Sequence, residues 1–249
     1  MRPVERGAHP LNSRGERVAY GHYSEARGEL IKRLGGEYCS FCEMHLDASL
    51  AIEHVQPKSK VPSLEKSWEN FLLACQNCNS TKGDEEIVLG EYVWPDVDNT
   101  AACLKYGPGA LVRPADLIDD SLRTRTRNTI DLVALDWDPS KPKKRKNVKT
   151  EGRDSASDRR WANREEAWDI AKDARNDLKE TILDHGEDSR DAIKARRRLI
   201  SEARGHGYWS VWMTVFADDF KTRQLLIQAF KAAASCFDPS TTQPQSRAL

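Results

Sequence analysis

The chain has 249 residues, 31% of them charged, and its 39 Lys and Arg are matched by 39 Asp and Glu, for a formal net charge of zero. That length suits one or two domains with a modest core under a heavily solvated surface, and the charge balance excludes a protein held to polyanions by bulk charge, so phosphate binding must come from local placement. No apolar run approaches membrane-spanning length and Met1-Arg2-Pro3-Val4 lacks the apolar core of a signal peptide, so a cytosolic protein with reduced thiols and no membrane association is expected.

Residues 1–20 mix Arg, Gly, Pro and Asn without periodicity and read as an extended arm, laid over whatever core follows. From Tyr23 the apolar positions Ala26, Leu30, Ile31 and Leu34 share one helical face, and Gly35-Gly36 supplies the stop. This helix leads into the first of two CxxC pairs, Cys39/Cys42 and Cys75/Cys78, separated by residues 43–74. Two such knuckles close a tetrahedral thiolate site of the kind structural Zn2+ prefers, with no position left open for substrate. The remaining cysteines, Cys103 and Cys236, are expected to be buried and unreactive.

Chemistry must then come from inside the loop. Glu53 and His54 lie in the short β-prone run Ala51–Val55, where neighbours point to opposite faces, so one can bind metal while the other addresses substrate. Asn79 directly follows the last cysteine, where its carbonyl oxygen can join the Glu53 carboxylate on a hard divalent cation. Asn70 stands at the approach to the strand Phe71–Ala74. Lys58, Lys60 and Lys82 flank the pattern and are candidate phosphate contacts.

The order Cys-x-x-Cys, Glu53-His54, Pro57-Lys58-Ser59, Asn70, Cys75-x-x-Cys78-Asn79, Lys82-Gly83 closely resembles HNH endonucleases of the zinc-containing ββα-metal type. The resemblance implies that His54 is the general base, that Glu53 and Asn79 hold a catalytic Mg2+ or Mn2+, and that Asn70 braces the hairpin loop. Two positions depart from the commoner pattern: the acid is Glu where Asp is more usual, and the late ligand is Asn where His is more usual. The arm beginning Arg2-Pro3-Val4, with the Ile52-Glu53-His54 and Leu73-Ala74-Cys75 core, looks like the HNH effectors of bacterial anti-phage systems. It is most similar to the nuclease subunit of Septu-type systems, which works with an ATPase. That implies a regulatory protein partner besides DNA, with RNA left open as a substrate.

Beyond the core, Asp84, Glu85, Glu86 and Glu91 form an acidic patch read as a solvated face, and Tyr92–Asp96 reads as a strand ending in a turn. A Gly107–Gly109 turn precedes an expected helix over Leu122–Leu135, whose Arg123, Arg125 and Arg127 either track a phosphate backbone or form a solvated face. Residues 141–160, with Lys141–Lys146 at their start, read as a basic linker. Helical periodicity then returns: Trp161, Trp168, Ala171, Ala174, Leu178 and Ile182 share one face, Ile193, Leu199, Ile200 and Ala203 another, and Leu225–Ala233 a third. The apolar run Tyr208–Phe216 is expected at the centre of this bundle, with the aromatics as core or as a docking surface. The tail from Asp238 is expected to be disordered.

The expected architecture is therefore α+β and mainly helical. An N-terminal arm and helix (1–36) precede a zinc-stapled ββα-metal core (37–100), a connecting helical segment (101–140), the linker, and a C-terminal helical domain (161–249). The expected function is metal-dependent hydrolysis of DNA phosphodiesters. The alternative is a zinc-stabilised nucleic-acid-binding or partner-docking subunit with a vestigial nuclease site.

Overall fold

The computed structural model describes residues 1–138 and 158–247; the Lys141–Lys146 run and most of the expected linker lie outside the described residues. After a single 3-10 turn, helix α1 (Arg27–Arg33) buries Leu30 and ends at Gly35. Gly35 has φ +81, and a Cβ there would lie 2.3 Å from the Phe230 carbonyl oxygen, so the close approach of the C-terminal helices requires glycine. Strand β1 (Ala51–His54) pairs antiparallel with β2 (Phe71–Ala74), placing Glu53 opposite Leu72 and His54 opposite Phe71. Helix α2 (Gln76–Lys82) follows at once, capped by the Cys75 sulfur accepting from the Cys78 amide. The result is a ββα unit with cysteines where strand meets helix.

Helix α3 (Thr100–Cys103) leads into a second hairpin, β3 (Leu104–Gly107) and β4 (Leu111–Pro114), built around the expected glycine turn. Helix α4 (Asp120–Leu132) starts on an Asp119 cap, and four more α-helices follow among the described residues: α5 (Arg160–His185), α6 (Arg190–His206), α7 (Trp209–Val215) and α8 (Phe220–Ala229). Helix α5 packs along α6 and α7. Trp209, Trp212 and Phe216 are buried at the centre of this group. Among the described residues no helix is long and apolar enough to cross a membrane.

One apolar core runs without a break from Met1 through the cysteine knuckles to Phe237. The knuckle turn at Glu43 docks on the α6–α7 junction, where the Tyr208 amide donates to the Glu43 carbonyl at 2.9 Å and Ser210 donates to the Glu43 carboxylate through both its amide and its hydroxyl. Gly207 makes this possible: a Cβ there would sit 2.5 Å from the Glu43 carbonyl oxygen.

Several expectations are corrected. The start of the arm is buried rather than only laid over the core: Met1–Val4 are buried, Val4 bridges to Ala232, and its amide donates to the Pro95 carbonyl. Tyr92–Asp96 is not a strand, because the Val93 amide and carbonyl are satisfied by the Thr129 hydroxyl of α4 rather than by another strand. Arg123, Arg125 and Arg127 do not form a simple solvated face, because all three have partners within the chain. Arg123 closes on the carbonyls of Ala115, Asp116 and Ile118, Arg125 on Tyr92 and Asp98, and Arg127 on Asp131 and Asp136. The tail folds back through residue 247: Phe237 bridges to Pro244, and the Arg223 guanidinium donates to the Thr242 hydroxyl and carbonyl.

Candidate metal centre and active-site cleft

Cys39 and Cys42 come from the turn after α1, Cys75 and Cys78 from the β2–α2 junction, and all four sulfurs lie buried within 4.8 Å of one another. The Cys42 and Cys75 sulfurs are 3.7 Å apart, close to the separation of about 3.8 Å that tetrahedral geometry sets for sulfurs 2.3 Å from Zn2+. Burial, reinforced by the three neighbouring sulfurs, pushes the Cys42 thiol well above its usual range, so thiolates here require a cation to balance them. The donor set fits structural zinc. Sequence reasoning missed its outer partner: Arg160, at the start of α5, donates to the Cys78 sulfur at 3.3 Å and to the Val133 carbonyl at 2.7 Å, and is itself held by a 2.6 Å ion pair with buried Asp158. No motif marks this arginine.

On the other side of the same ββα unit, Glu53, His54, Asn79 and Lys82 converge on a cleft of about 330 Å³, with Tyr23, Lys58 and Asp84 also in its wall. Asn70, buried between the strands, braces the intervening loop: its carbonyl oxygen accepts from the Gln56 amide at 2.8 Å, and its amide donates to the Gln56 and Leu64 carbonyls. That loop delivers the Glu65 carbonyl to His54 Nε2 at 2.9 Å. A carbonyl only accepts, so Nε2 carries the hydrogen and Nδ1 is the basic nitrogen. Burial lowers the His54 pKa from its ordinary 6.5, helped by the ammonium groups of Lys58 and Lys82 and opposed by the Glu65 carbonyl. The ring is wedged between Phe71 and Tyr23 in edge contacts, with centroids 5.4 and 4.9 Å away. Tyr23 in turn lies 4.4 Å under the Lys58 ammonium. Nothing in the motif marks Tyr23 as part of the cleft, which it joins through tertiary packing.

The cationic candidates divide. Lys58 is exposed at the rim, loosely paired with Glu65 at 3.4 Å, and Lys60 is exposed two residues beyond it. Lys82 is not available to phosphate in this arrangement: it is 1% exposed, its ammonium 2.7 Å from Glu53 Oε1 and 2.8 Å from the His54 carbonyl. Burial raises the Glu53 carboxyl pKa, and Lys82 counteracts that. The carboxylate of Glu53 and the amide oxygen of Asn79 are donors of the type a hard divalent cation takes. A further metal-capable group, Glu37, His45 and Asp47, lies at the surface beside the first knuckle.

Residues 37–85 match the family model described as HNH endonuclease. No curated protein matches the chain.

Proposed function

With residues 37–85 an HNH endonuclease domain, we propose that this protein hydrolyses phosphodiester bonds in DNA in a reaction that depends on Mg2+ or Mn2+. His54 is the general base, taking a proton from water at Nδ1, with its tautomer set by the Glu65 carbonyl and its charge-neutral form favoured by burial. Glu53 and Asn79 would hold the cation, which when bound supplies charge to the pentavalent phosphate and the departing 3′ oxygen. Asn70 keeps the loop that orients His54 in place, Lys58 offers an exposed ammonium to the backbone phosphates, and the four cysteines hold a structural Zn2+ outside the chemistry. The single observation that supports this reading best is an imidazole whose tautomer the Glu65 carbonyl fixes, lining one cleft together with the Glu53 carboxylate.

The test is cleavage of plasmid DNA, with RNA in parallel, by the zinc-replete protein across divalent metals. His54→Ala should lower cutting on the order of 10²–10⁴-fold. In the unsubstituted protein the base works only unprotonated, so activity should persist as pH falls and be lost below the ordinary imidazole value of 6.5. Full cutting by His54→Ala would remove His54 from the chemistry. The alternative, a binding module with a vestigial site, draws on the hold Lys82 has on Glu53; DNA binding without cleavage under any metal would establish it. On the likeness of the arm and core motifs to Septu-type effectors, we place the activity in anti-phage defence under an ATPase partner, which co-purification from the native host should recover.

A further inference from the structure

Glu53 is 3% exposed and Lys82 1%, so the two charges face each other in a dry contact at 2.7 Å. The ammonium has three donors; one goes to Glu53 Oε1 and one to the His54 carbonyl at 2.8 Å. Lys82 is the last residue of α2, and Asn79 stands three residues before it, so the two side chains leave one helix face and both line the cleft. Lys82 thus supplies a positive charge at the carboxylate where the nuclease reading of this site needs a divalent cation.

Both cannot rest on Glu53 together. The cleft wall holds two acids, Glu53 and the exposed Asp84 at its rim. One buried carboxylate cannot balance an ammonium and a dication in contact with it, and their mutual repulsion in a water-poor site is strong. Either cation leaves if the other enters. Lysine suits such an exchange, because its charge sits at the end of a flexible four-carbon stem, and the cleft beside it gives the displaced ammonium somewhere to go.

We propose that Lys82 is the built-in occupant of the catalytic cation site, so that divalent metal binds only by displacing its ammonium from Glu53 into the cleft. The inference rests on the nuclease reading for the position of the cation, and it adds that the resting protein holds that position closed against metal.

Mn2+ binding to the zinc-replete full chain, followed by titration calorimetry and by the electron spin resonance of free Mn2+, tests this directly. If Lys82 holds Glu53 in most molecules, Lys82→Met should tighten Mn2+ binding by about tenfold or more, since the apparent affinity is reduced by the fraction of competent sites. Lys82→Arg, which keeps the charge, should bind as weakly as the parent or more weakly. Glu53→Gln should lose the site, which separates it from the surface group at Glu37, His45 and Asp47. Equal or weaker Mn2+ affinity in a zinc-replete Lys82→Met protein would overturn the proposal. Should that variant lose its zinc, the parent protein decides: acetylation of Lys82, read by mass spectrometry, should be slow without Mg2+ and rise several-fold with it. Mg2+-dependent cleavage with Lys82 labelling unchanged would overturn the displacement alone. No Mn2+ bound by either the parent or Lys82→Met, together with no cleavage, would overturn the nuclease reading as well.

Discussion

Cys75, Cys78, Asn79 and Lys82 follow one another along the same short helix and end in two unlike sites. The cysteine side is complete: four buried sulfurs within 4.8 Å of one another form a closed donor set, backed by a guanidinium from another part of the chain. The cleft side is incomplete: one buried carboxylate, one amide and an internal ammonium stand around an open volume, with an exposed acid at its rim and an imidazole fixed at its edge. A closed set commits its binding energy to folding. An incomplete one leaves positions for water, metal and substrate to fill, which chemistry requires. The same hairpin can serve both because the rigid site holds the open one in shape.

The first way to break this comparison is to open the closed site. Cys75→Ala removes one thiolate and the α2 cap together, and structural zinc in small domains is worth about 10–16 kcal/mol of apparent binding at neutral pH. Because the core runs unbroken from the knuckles into α6 and α7, the damage should not stop at residue 85. The variant should purify without zinc by elemental analysis and show no cooperative melt by circular dichroism. A sharp melt at the parent temperature would mean that the helices hold the fold and the zinc only decorates it.

A smaller effect tests the support from α5. Arg160→Met takes the guanidinium away from the buried Asp158 carboxylate, which keeps donors from the Asn77 side-chain amide and the backbone amide of residue 160, and leaves the Val133 carbonyl and the Cys78 sulfur without a donor from this side chain. Removing one partner of a buried pair costs about 3–5 kcal/mol. The melt should shift accordingly, and a chelator with a colour change on binding should strip zinc several-fold faster than from the parent. Unchanged zinc release would show that the sulfurs need no outer partner.

How much of this was readable from the sequence follows the same division. Cysteine spacing is a local property, and Cys39, Cys42, Cys75 and Cys78 converge where two CxxC pairs predict. Glu53, His54 and Asn79 share one cleft, and the ββα order could be read from a β-prone run, a second run and the last knuckle. What could not be read is who fills each polar group across the fold. Lys82 reads as a phosphate contact until α2 buries it on Glu53, and Arg160 reads as the end of a basic linker until it reaches Cys78. Arg123, Arg125 and Arg127 look like a surface for phosphate, yet loop carbonyls and nearby carboxylates absorb all three. The same holds for apolar surface: nothing periodic marks Met1–Val4, and their burial comes from backbone groups that pair with Pro95, Ala232 and Ala233. Sequence patterns report what a segment can offer, and tertiary packing decides what is left to offer.

The smallest effect sharpens the cleft side. Tyr23 sits in the 3-10 turn before α1, far from the motif in sequence, with its ring edge-on to His54 at 4.9 Å and beneath the Lys58 ammonium at 4.4 Å. It touches His54 and the rim ammonium of Lys58 together, so it ties the orientation of one to the position of the other. Under the proposed nuclease reading it is a positioning residue, acting through His54 and Lys58. Edge contacts and cation–π contacts are each worth about 0.5–1.5 kcal/mol, so Tyr23→Leu should lower kcat/KM by about three- to tenfold while leaving zinc content and the melt unchanged. Loss of the His54 contact should appear in kcat, and loss of the Lys58 contact in KM. Tyr23→Phe keeps the ring and loses only the hydroxyl, so it should restore parent kinetics. If Tyr23→Phe instead falls as far as Tyr23→Leu, the hydroxyl rather than the ring is what the cleft uses, and Tyr23 belongs with the groups that meet substrate.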